Sequence, residues 1–310
     1  MLRSLTRHFK IESDQRIGVA FSRSRVFIAA VAGAAKYPKI LWTKESEIIP
    51  AMFNPVPDDS STSSLNQLLM PLLDQIKEDV CPIHIVLPDH SVRNAIFELD
   101  ELPKSRQMIT ALASWRMSKE FGRPEEELEC QINVLGDDHG KHLLFVQAGD
   151  RYWMDKIRSA LKTSGLLPWS MNAASVYRFN HLNDNGITPS SAMLSMDDDC
   201  WTLQAWDENN KIRFVMTRLR NRSAGIEEAE SIGSEVSRVL RARLITSNDL
   251  KVKNLYLAGG KGDIEAVSDR INHELFGERI TFDNHITGDA AELSKESSLK
   301  SLAIMAACTE

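Results

Sequence analysis

Each half of the chain opens on short apolar segments joined by polar turns, and this repeated arrangement constrains the fold more than any other feature. Alternating apolar stretches of this length, bounded by turn residues, are typical of hairpin strands. The predicted hairpin strands are residues 17–21 and 26–31 in the first half and 192–196, 200–206 and 211–219 in the second. Because helices and a further buried strand follow in each half, the order of elements predicts an internally duplicated α/β fold.

Composition places the 310 residues among ordinary globular proteins. Hydrophobic residues make up 43% and charged residues 26%, which excludes a disordered chain, a collagen-like chain and a disulfide-dense scaffold. The 37 Lys and Arg residues against 43 Asp and Glu residues give a net charge of −6. An acidic balance disfavours a nucleic-acid partner, and the length suggests about two domains.

Cysteine usage and hydropathy indicate a reducing, cytoplasmic location. Cys81, Cys130, Cys200 and Cys308 are far apart and have no zinc-ligand spacing, so we expect buried reduced thiols and no metal. The most apolar early stretch, residues 26–35, is half the length of a membrane span. Within residues 1–15, Leu2, Leu5 and Phe9 form one apolar stripe with Arg3, Arg7, His8 and Lys10 around it. They fit either a short amphipathic helix on an anionic membrane or, as we favour, a terminus that orders only by docking.

Periodicity and turn signals divide the rest of the chain into elements. Residues 36–64, rich in Pro, Asp, Ser and Thr, are predicted to be a loop, and residues 183–189 the main domain boundary. In the helix predicted over 105–121, Met108, Leu112 and Trp115 form the apolar face. Other predicted helices are 65–76 (interrupted at Pro71), 151–164, 172–181, 226–244, 263–275 and 288–307. Other predicted strands are 83–87, 95–99, 131–135, 142–148, 255–258 and 279–282.

Three local patterns could bind ligands, and each has a structural alternative. Gly259, Gly260 and Gly262 close a strand and open a helix, which suits either a ligand or an ordinary turn. Residues 197–199, three aspartates, fit a divalent cation less well than a solvated turn. Six arginines between 218 and 243 could bind phosphate, but interleaved glutamates favour a solvated helix. No pattern selects a catalytic nucleophile.

A series of degenerate motifs runs from residue 83 to residue 179. They are Ile83–Asp89, Ser91–Arg93, Phe97–Leu99 with Leu102–Pro103, a helix containing Trp115 and Lys119–Glu120, Pro124–Leu128, Ile132–Gly136, Leu143–Asp150, Gly165–Pro168 and Met171–Phe179. In order and spacing this series resembles the PilM family of type IV pilus assembly proteins, including relatives from MSHA-type pili. The resemblance covers most of residues 16–307.

This resemblance implies the actin-like fold of FtsA, with ribonuclease H-like duplicated lobes flanking a nucleotide cleft. The first lobe would be residues 16–187, with an FtsA-type inserted subdomain at about 91–165. The second would be residues 188–310, whose C-terminal helix could return to the first lobe. The cytoplasmic part of GspL in type II secretion has a similar fold.

The phosphate loops depart from the family's pattern. Ala20 stands where the family has a magnesium-associated Asp, and Ser195 stands in the second loop's usual Asp position. The resemblance places Ser22, Ser24, Asp197, Gly259 and Gly260 around the degenerate cleft. Without that carboxylate, and with Ser22 in place of the family's loop glycine, we expect no useful hydrolysis, no required cofactor, and a cleft that binds ATP with magnesium weakly or not at all.

The resemblance therefore implies a non-catalytic scaffold at the inner membrane. Its partner would be a PilN-like membrane protein whose cytoplasmic tail lies in a groove formed by the first lobe and the insert. Ile85, Phe97 and Trp115 are the candidate contacts, although the helical pattern favours a core position for Trp115. The alternatives are an actin-like ATPase or sugar-kinase-like phosphotransferase, and an α/β protein with a coincidental pattern. The partner would tie the chain peripherally to the membrane, and its oligomeric state is not implied.

Overall fold

The computed structural model describes residues 15–22, 25–33, 39–47, 82–138, 140–163, 166, 168–184, 186–220, 226–246, 252–274, 281–283 and 298–307. Their strands are β1 Gln15–Phe21, β2 Arg25–Ala32, β3 Lys39–Glu47, β4 Ile83–Leu87, β5 Val92–Leu99, β6 Leu128–Asp138, β7 Lys141–Asp150, β8 Pro168–Ala173, β9 Ser191–Met196, β10 Cys200–Trp206, β11 Ile212–Leu219, β12 Asn254–Ala258 and β13 Thr281–Asp283. Their α-helices are α1 Arg106–Phe121, α2 Arg151–Thr163, α3 Ala174–Asp184, α4 Ile226–Thr246, α5 Lys261–Glu274 and α6 Ser298–Ala307.

Two five-stranded sheets with the same strand order confirm the predicted duplication. The first sheet has the order β3-β2-β1-β4-β8 and the second β11-β10-β9-β12-β13. In both sheets three antiparallel strands come first in sequence, and two strands parallel to the first of them follow. The carboxyl ends of β1 and β9 therefore occupy equivalent positions in the two lobes.

The third sheet and α1 form a unit inserted between β4 and β8. Its strands are antiparallel in the order β5-β7-β6, and α1 packs on one face of it through Ala113 and Met117. Ser105 caps the helix by accepting a hydrogen bond from the Met108 amide, and Gly122 ends it in the left-handed conformation. The helix is thus fixed at both ends.

Helix α3 links the two lobes. Tyr177 packs in the apolar cluster under the first sheet, whereas Leu182 and Phe179 pack against Trp206 of the second sheet. A single helix therefore contributes to both cores, and its residue Arg178 lies between them.

Two edge strands were missed at the sequence level, and some predictions fall outside the described residues. Strand β3 lies within the predicted 36–64 loop, and β8 precedes a helix that begins at Ala174 rather than at residue 172. Edge strands bury only part of their side chains, so their periodicity is weak.

The predictions for residues 1–14, helix 65–76 and Ser24 lie outside the described residues. Among the described helices, none has the length and apolar composition that a bilayer crossing requires.

Helix α6 lies directly on β1 and β2 of the first sheet, and Gly18 makes this approach possible. A Cβ atom at Gly18 would lie 1.8 Å from the backbone oxygen of Ala303. Leu302, Ala303 and Ala307 are buried in the same cluster as Ala20. The C-terminal helix is therefore part of the first lobe's core.

We predict that Gly18→Ala displaces α6. Overpacking typically costs about 1–3 kcal/mol, and the contact here is with backbone that cannot rotate away. Urea denaturation should show this loss, and limited proteolysis should release the C-terminal residues earlier. Gly262→Ala is the matched control because a Cβ there meets nothing within 4 Å. Equal stability of Gly18→Ala and the wild-type chain would contradict the packing.

The buried His84 predicts a loss of stability in mild acid. Burial, and then the charge of Arg16, lower the pKa of His84 to about 4, and Nδ1 lies 2.9 Å from Ser170 Oγ. The unfolded state takes up this proton near pH 6.5, so it binds more protons than the folded state over the interval. Stability from His84 is therefore complete above about pH 6.5 and falls by about 3 kcal/mol towards pH 4.

Urea denaturation of His84→Gln beside the wild type tests this dependence. The variant should lose less stability between about pH 7 and pH 4.5, because its side chain does not titrate. Parallel pH profiles for the two chains would show that His84 does not carry the effect.

Candidate functional site

The cleft between the two sheets brings together the carboxyl ends of β1 and β9. Ser22 follows β1, and Asp197 follows β9; both line one small cavity together with Pro88, His90 and Cys200. The cavity volume is about 20 Å³, room for little more than one water molecule. Gly259 and Gly260 follow β12 and do not line it, so the structure gathers only part of the predicted nucleotide site.

A buried ion pair crosses this cleft. Arg178 of α3 donates from both terminal nitrogens to the carboxylate of Asp197, with Nη1 2.8 Å from Oδ2. The Arg178 side chain is 3% exposed and the Asp197 side chain 18%. A bidentate arginine–carboxylate pair fixes both distance and orientation, so Asp197 is directed at the protein's own arginine.

A second ion pair joins the two phosphate-loop positions directly. Arg25 Nη2, at the start of β2, donates to Asp198 Oδ2 at 2.8 Å, and its Nη1 donates to Glu45 at 2.9 Å. Ser22 is turned inward: its Oγ accepts from the Arg25 amide at 3.0 Å. Ser22, Arg25 and Asp198 surround the place that a phosphate would occupy between β1 and β9. Arg25 is hydrogen-bonded to each of the other two.

Asp89 adds a second carboxylate beneath the pair. It is fully buried and accepts hydrogen bonds from the amide and the hydroxyl of Ser175 at 3.0 and 2.9 Å. Burial, and then the nearby charge of Asp197, raise the pKa of Asp89. Burial also raises the pKa of the Cys200 thiol well above its ordinary value. The charge of Arg178 opposes this rise in the pKa of Asp89, so its guanidinium faces both acidic side chains.

Arg220 connects the aspartate loop to the start of α5. Its guanidinium donates to both oxygens of Asp263 at 2.8 and 3.0 Å and to the Asp197 carbonyl at 3.1 Å. The side chain is 6% exposed, so it is not the solvated arginine that the glutamate-rich helix pattern favours. It closes the side of the cleft next to Gly260.

The glycine pair after β12 has a packing explanation. A Cβ atom at Gly259 would lie 3.0 Å from both the Cβ and the carbonyl oxygen of Met196. The close approach of β12 to β9 therefore favours glycine at this position without any ligand. Gly260 has a freer environment, since a Cβ atom there would lie 3.7 Å from Asp263 Oδ2.

The three aspartates do not converge on a cation position. Asp197 and Asp198 pair with different arginines, and the Asp197 amide donates to the Cys200 carbonyl at 2.9 Å, which forms a turn. Within the part of the chain that the structure describes, no cluster of three or more His, Cys, Asp or Glu side chains could hold a metal. The turn interpretation of residues 197–199 accounts for the geometry.

The three partner-contact candidates lie in three different environments, which corrects the single groove predicted for them. Ile85 is 1% exposed, and β4 is paired on both sides, so it offers no sheet edge. Phe97 is buried in the cluster under α1, with the Arg116 guanidinium 5.3 Å from its ring centroid. Trp115 is 49% exposed on the outer side of α1. Its assignment to the apolar core face was wrong, since Ala113 and Met117 fill that face.

A second small cavity, of about 10 Å³, lies between the insert and the first lobe. The Gln131 side chain of β6 donates to the Met171 carbonyl of β8 at 3.1 Å, so these edge strands are neighbours. We call this the inter-sheet groove; it is lined by Leu87, Val92, Glu129, Gln131, Gln147, Gly149, Met154 and Met171. Gln147 and Gly149 alternate with the β7 residues that face α1. The groove and Trp115 therefore lie on opposite faces of the insert.

Comparisons with known proteins identify the fold. No family model matches the chain, and no curated protein matches its sequence. Among solved structures, a PilM–PilN type IV pilus biogenesis complex matches with 14% identity and a TM-score of 0.71, over 94% of this chain and 97% of the other. A Bacteroides thetaiotaomicron protein with an actin-like ATPase fold and unknown function matches with 10% identity and a TM-score of 0.58, covering 94% and 99%.

A third structure, the ethanolamine utilization protein EutJ from Carboxydothermus hydrogenoformans, matches with 9% identity and a TM-score of 0.52, covering 97% of this chain and 92% of the other. These likenesses confirm the predicted fold class. The chain has an actin-like α/β fold in two duplicated lobes, and among these three structures the PilM chain has the highest TM-score.

We predict that Arg178→Met destabilises the protein by about 3 kcal/mol or more. The change removes the cation that faces Asp89 and Asp197, and removing one partner of a buried ion pair is the costly way to break it. Urea denaturation at neutral pH measures the loss. Lys141→Met is the control because its pair with Glu98 is exposed and should contribute little. A loss no larger than the control's would show that the pair does not hold the lobes.

Proposed function

We propose that this protein is a non-catalytic scaffold of a type IV pilus or related secretion assembly. It holds the cytoplasmic tail of a PilN-like membrane partner. Support comes from the fold shared with the PilM chain of the PilM–PilN complex over nearly the whole length of both chains. The finer assignment to an MSHA-type pilus rests on the sequence resemblance alone. On this proposal the protein is cytoplasmic and reaches the inner membrane through its partner.

The proposal that the protein is non-catalytic depends on one observation: ion pairs between the protein's own side chains cross the cleft between the lobes. Arg178 and Arg25 neutralise Asp197 and Asp198 across the position between the two lobes. A nucleotide would have to break both pairs and place its phosphates beside two partly buried carboxylates. Like charges at short range disfavour this strongly in a low-dielectric interior.

Replacing Ala20 by aspartate would not by itself restore a carboxylate that could bind magnesium. Ala20 is fully buried, and it packs in an apolar cluster with Val86, Leu302 and Ala303. An aspartate there would be an unpaired buried charge. The alternative, an ATPase or phosphotransferase, therefore lacks a supporting residue on the first strand, and the Gly259 packing removes part of the remaining motif.

We predict that ATP with magnesium does not stabilise the protein. A ligand at about 100 times its Kd adds about 2.7 kcal/mol, which would raise the melting temperature by several degrees. Differential scanning fluorimetry at millimolar nucleotide should show no such rise, and coupled assays should show no turnover. Binding by isothermal titration calorimetry with a Kd of about 10 μM or below would contradict the proposal that the cleft is closed, because millimolar nucleotide would then be at about 100 times its Kd.

The inter-sheet groove is the proposed tail site. Both β6 and β8 are edge strands of their sheets, so an extended segment could form main-chain hydrogen bonds there while alternate side chains enter the groove. The groove is closed in this structure, since its volume is only about 10 Å³ and Gln131 bridges it to the Met171 carbonyl, so a tail would have to move β6 and β8 apart to enter. A tail would displace this side chain and take over its hydrogen bond.

We predict that Gln131→Arg weakens tail binding at least tenfold, whereas Trp115→Ala leaves it unchanged. The larger cation obstructs the groove, and Trp115 lies on the opposite face of the insert. Fluorescence anisotropy with a peptide from the cytoplasmic tail of a single-span protein encoded beside this one measures both. If Trp115→Ala abolishes binding and Gln131→Arg does not, the tail uses the outer face of α1 instead.

A further inference from the structure

The outer face of α1 is apolar at its centre and basic at its ends. Met108 is 58% exposed and Trp115 49% exposed, and with exposed Ala111 they follow helical spacing on the side opposite Ala113 and Met117. Lys104 and Lys119 are exposed along the same line. We call these five residues the α1 outer face. The proposed scaffold role does not use them.

Charge on this segment has the opposite sign to that of the whole protein. Residues 104–120 contain four basic side chains and one acidic side chain, a net charge of +3, in a chain of net charge −6. Arg116 is partly engaged, since its Nη1 donates to the Glu98 carbonyl at 3.2 Å. Lys104 and Lys119 form no ion pair within the described residues. Their charges are directed at solvent rather than at the fold.

The start of α1 adds to this positive potential. The first turn has no acidic residue, although the partial positive charge of a helix N-terminus normally favours one. Lys104 and Arg106 stand there instead. An anion supplied from outside the molecule would complement this arrangement, since the first turn itself contains no carboxylate.

The convex shape of the α1 outer face favours a flat anionic lipid surface over an anionic peptide. The outer face of a single helix is convex, and Met108 and Trp115 line neither of the cavities described above. Flanking lysines with a central tryptophan suit a flat headgroup layer, because indole favours the water–lipid boundary and lysines reach the phosphates above it. A peptide segment would instead require a groove.

We propose that the α1 outer face contacts an anionic lipid surface. The contact is peripheral, with Met108 and Trp115 at the headgroup boundary and the basic side chains on lipid phosphates. It is independent of the tail site, because the inter-sheet groove lies on the other face of the insert sheet. The scaffold would then have two attachments to one membrane, one through its partner and one through lipid.

Vesicle co-sedimentation of the full chain tests this proposal. The vesicles contain phosphatidylcholine alone or with about one third phosphatidylglycerol, without any partner. We expect binding only to the anionic vesicles, and the Lys104→Glu and Lys119→Glu double variant should weaken it about tenfold or more, since each basic residue near such a surface contributes severalfold. Met108→Ser with Trp115→Ser should reduce it similarly.

Matched controls separate this face from general charge and hydrophobicity. Lys162→Glu with Lys253→Glu changes two other exposed lysines, and Trp169→Ala removes another half-exposed tryptophan; both should bind as the wild type does. A chain lacking residues 1–11 should retain the binding that depends on α1. The proposal is overturned if the wild type does not bind, if the α1 variants bind normally, or if removal of residues 1–11 alone abolishes binding. Peptide binding by the same variants reports separately on the tail site.

Discussion

The ion pair between Arg178 and Asp197 is the constraint on which the arrangement of the lobes depends. Helix α3 contributes apolar side chains to both cores, and Arg178 leaves it at the junction to reach the loop after β9. Because Asp89 is buried beside the same guanidinium, one cation balances two carboxylates from different lobes. Moving the lobes apart would expose or unpair three charged groups at once, so the closed cleft follows from electrostatics as well as from packing.

On the proposed function, this closure would give the actin-like fold a use other than nucleotide binding. A nucleotide cleft works by alternating between open and closed arrangements around its ligand. In this chain Arg25, Arg178 and Arg220 bond to Asp198 and Asp197 in the loop after β9. The two surfaces proposed for partner and lipid, the inter-sheet groove and the α1 outer face, lie on opposite sides of one small sheet.

Local sequence patterns predicted most of the elements and the duplication. The strands 83–87 and 200–206 were predicted with the bounds that the structure shows, because buried apolar runs between turn residues leave few alternatives. The edge strands β3 and β8 were missed because half-exposed strands carry mixed polarity. On α1, apolar residues lie on both faces, so periodicity alone could not separate core Met117 from exposed Trp115.

The site was harder to predict than the fold, because the ion pairs across the cleft join residues that are far apart in sequence. Arg25 and Asp198 are separated by 173 positions, and nothing local to Arg178 distinguishes it from a surface arginine. Departures from the PilM-family pattern in the phosphate loops predicted a cleft that binds nucleotide weakly or not at all. They did not predict the ion pairs that lie across it. Gly259 matched a ligand motif, yet its geometry is explained by contact with Met196.

The distance between the lobes in solution tests the central claim most directly. Spin labels at positions 162 and 253, one exposed lysine in each lobe, in a chain whose four cysteines are replaced by alanine, allow pulsed electron paramagnetic resonance to measure it. The account predicts one narrow distance distribution that millimolar ATP with magnesium leaves unchanged. A broad or double distribution, or one that shifts when nucleotide is added, would show that the lobes open and that the cleft accepts a ligand.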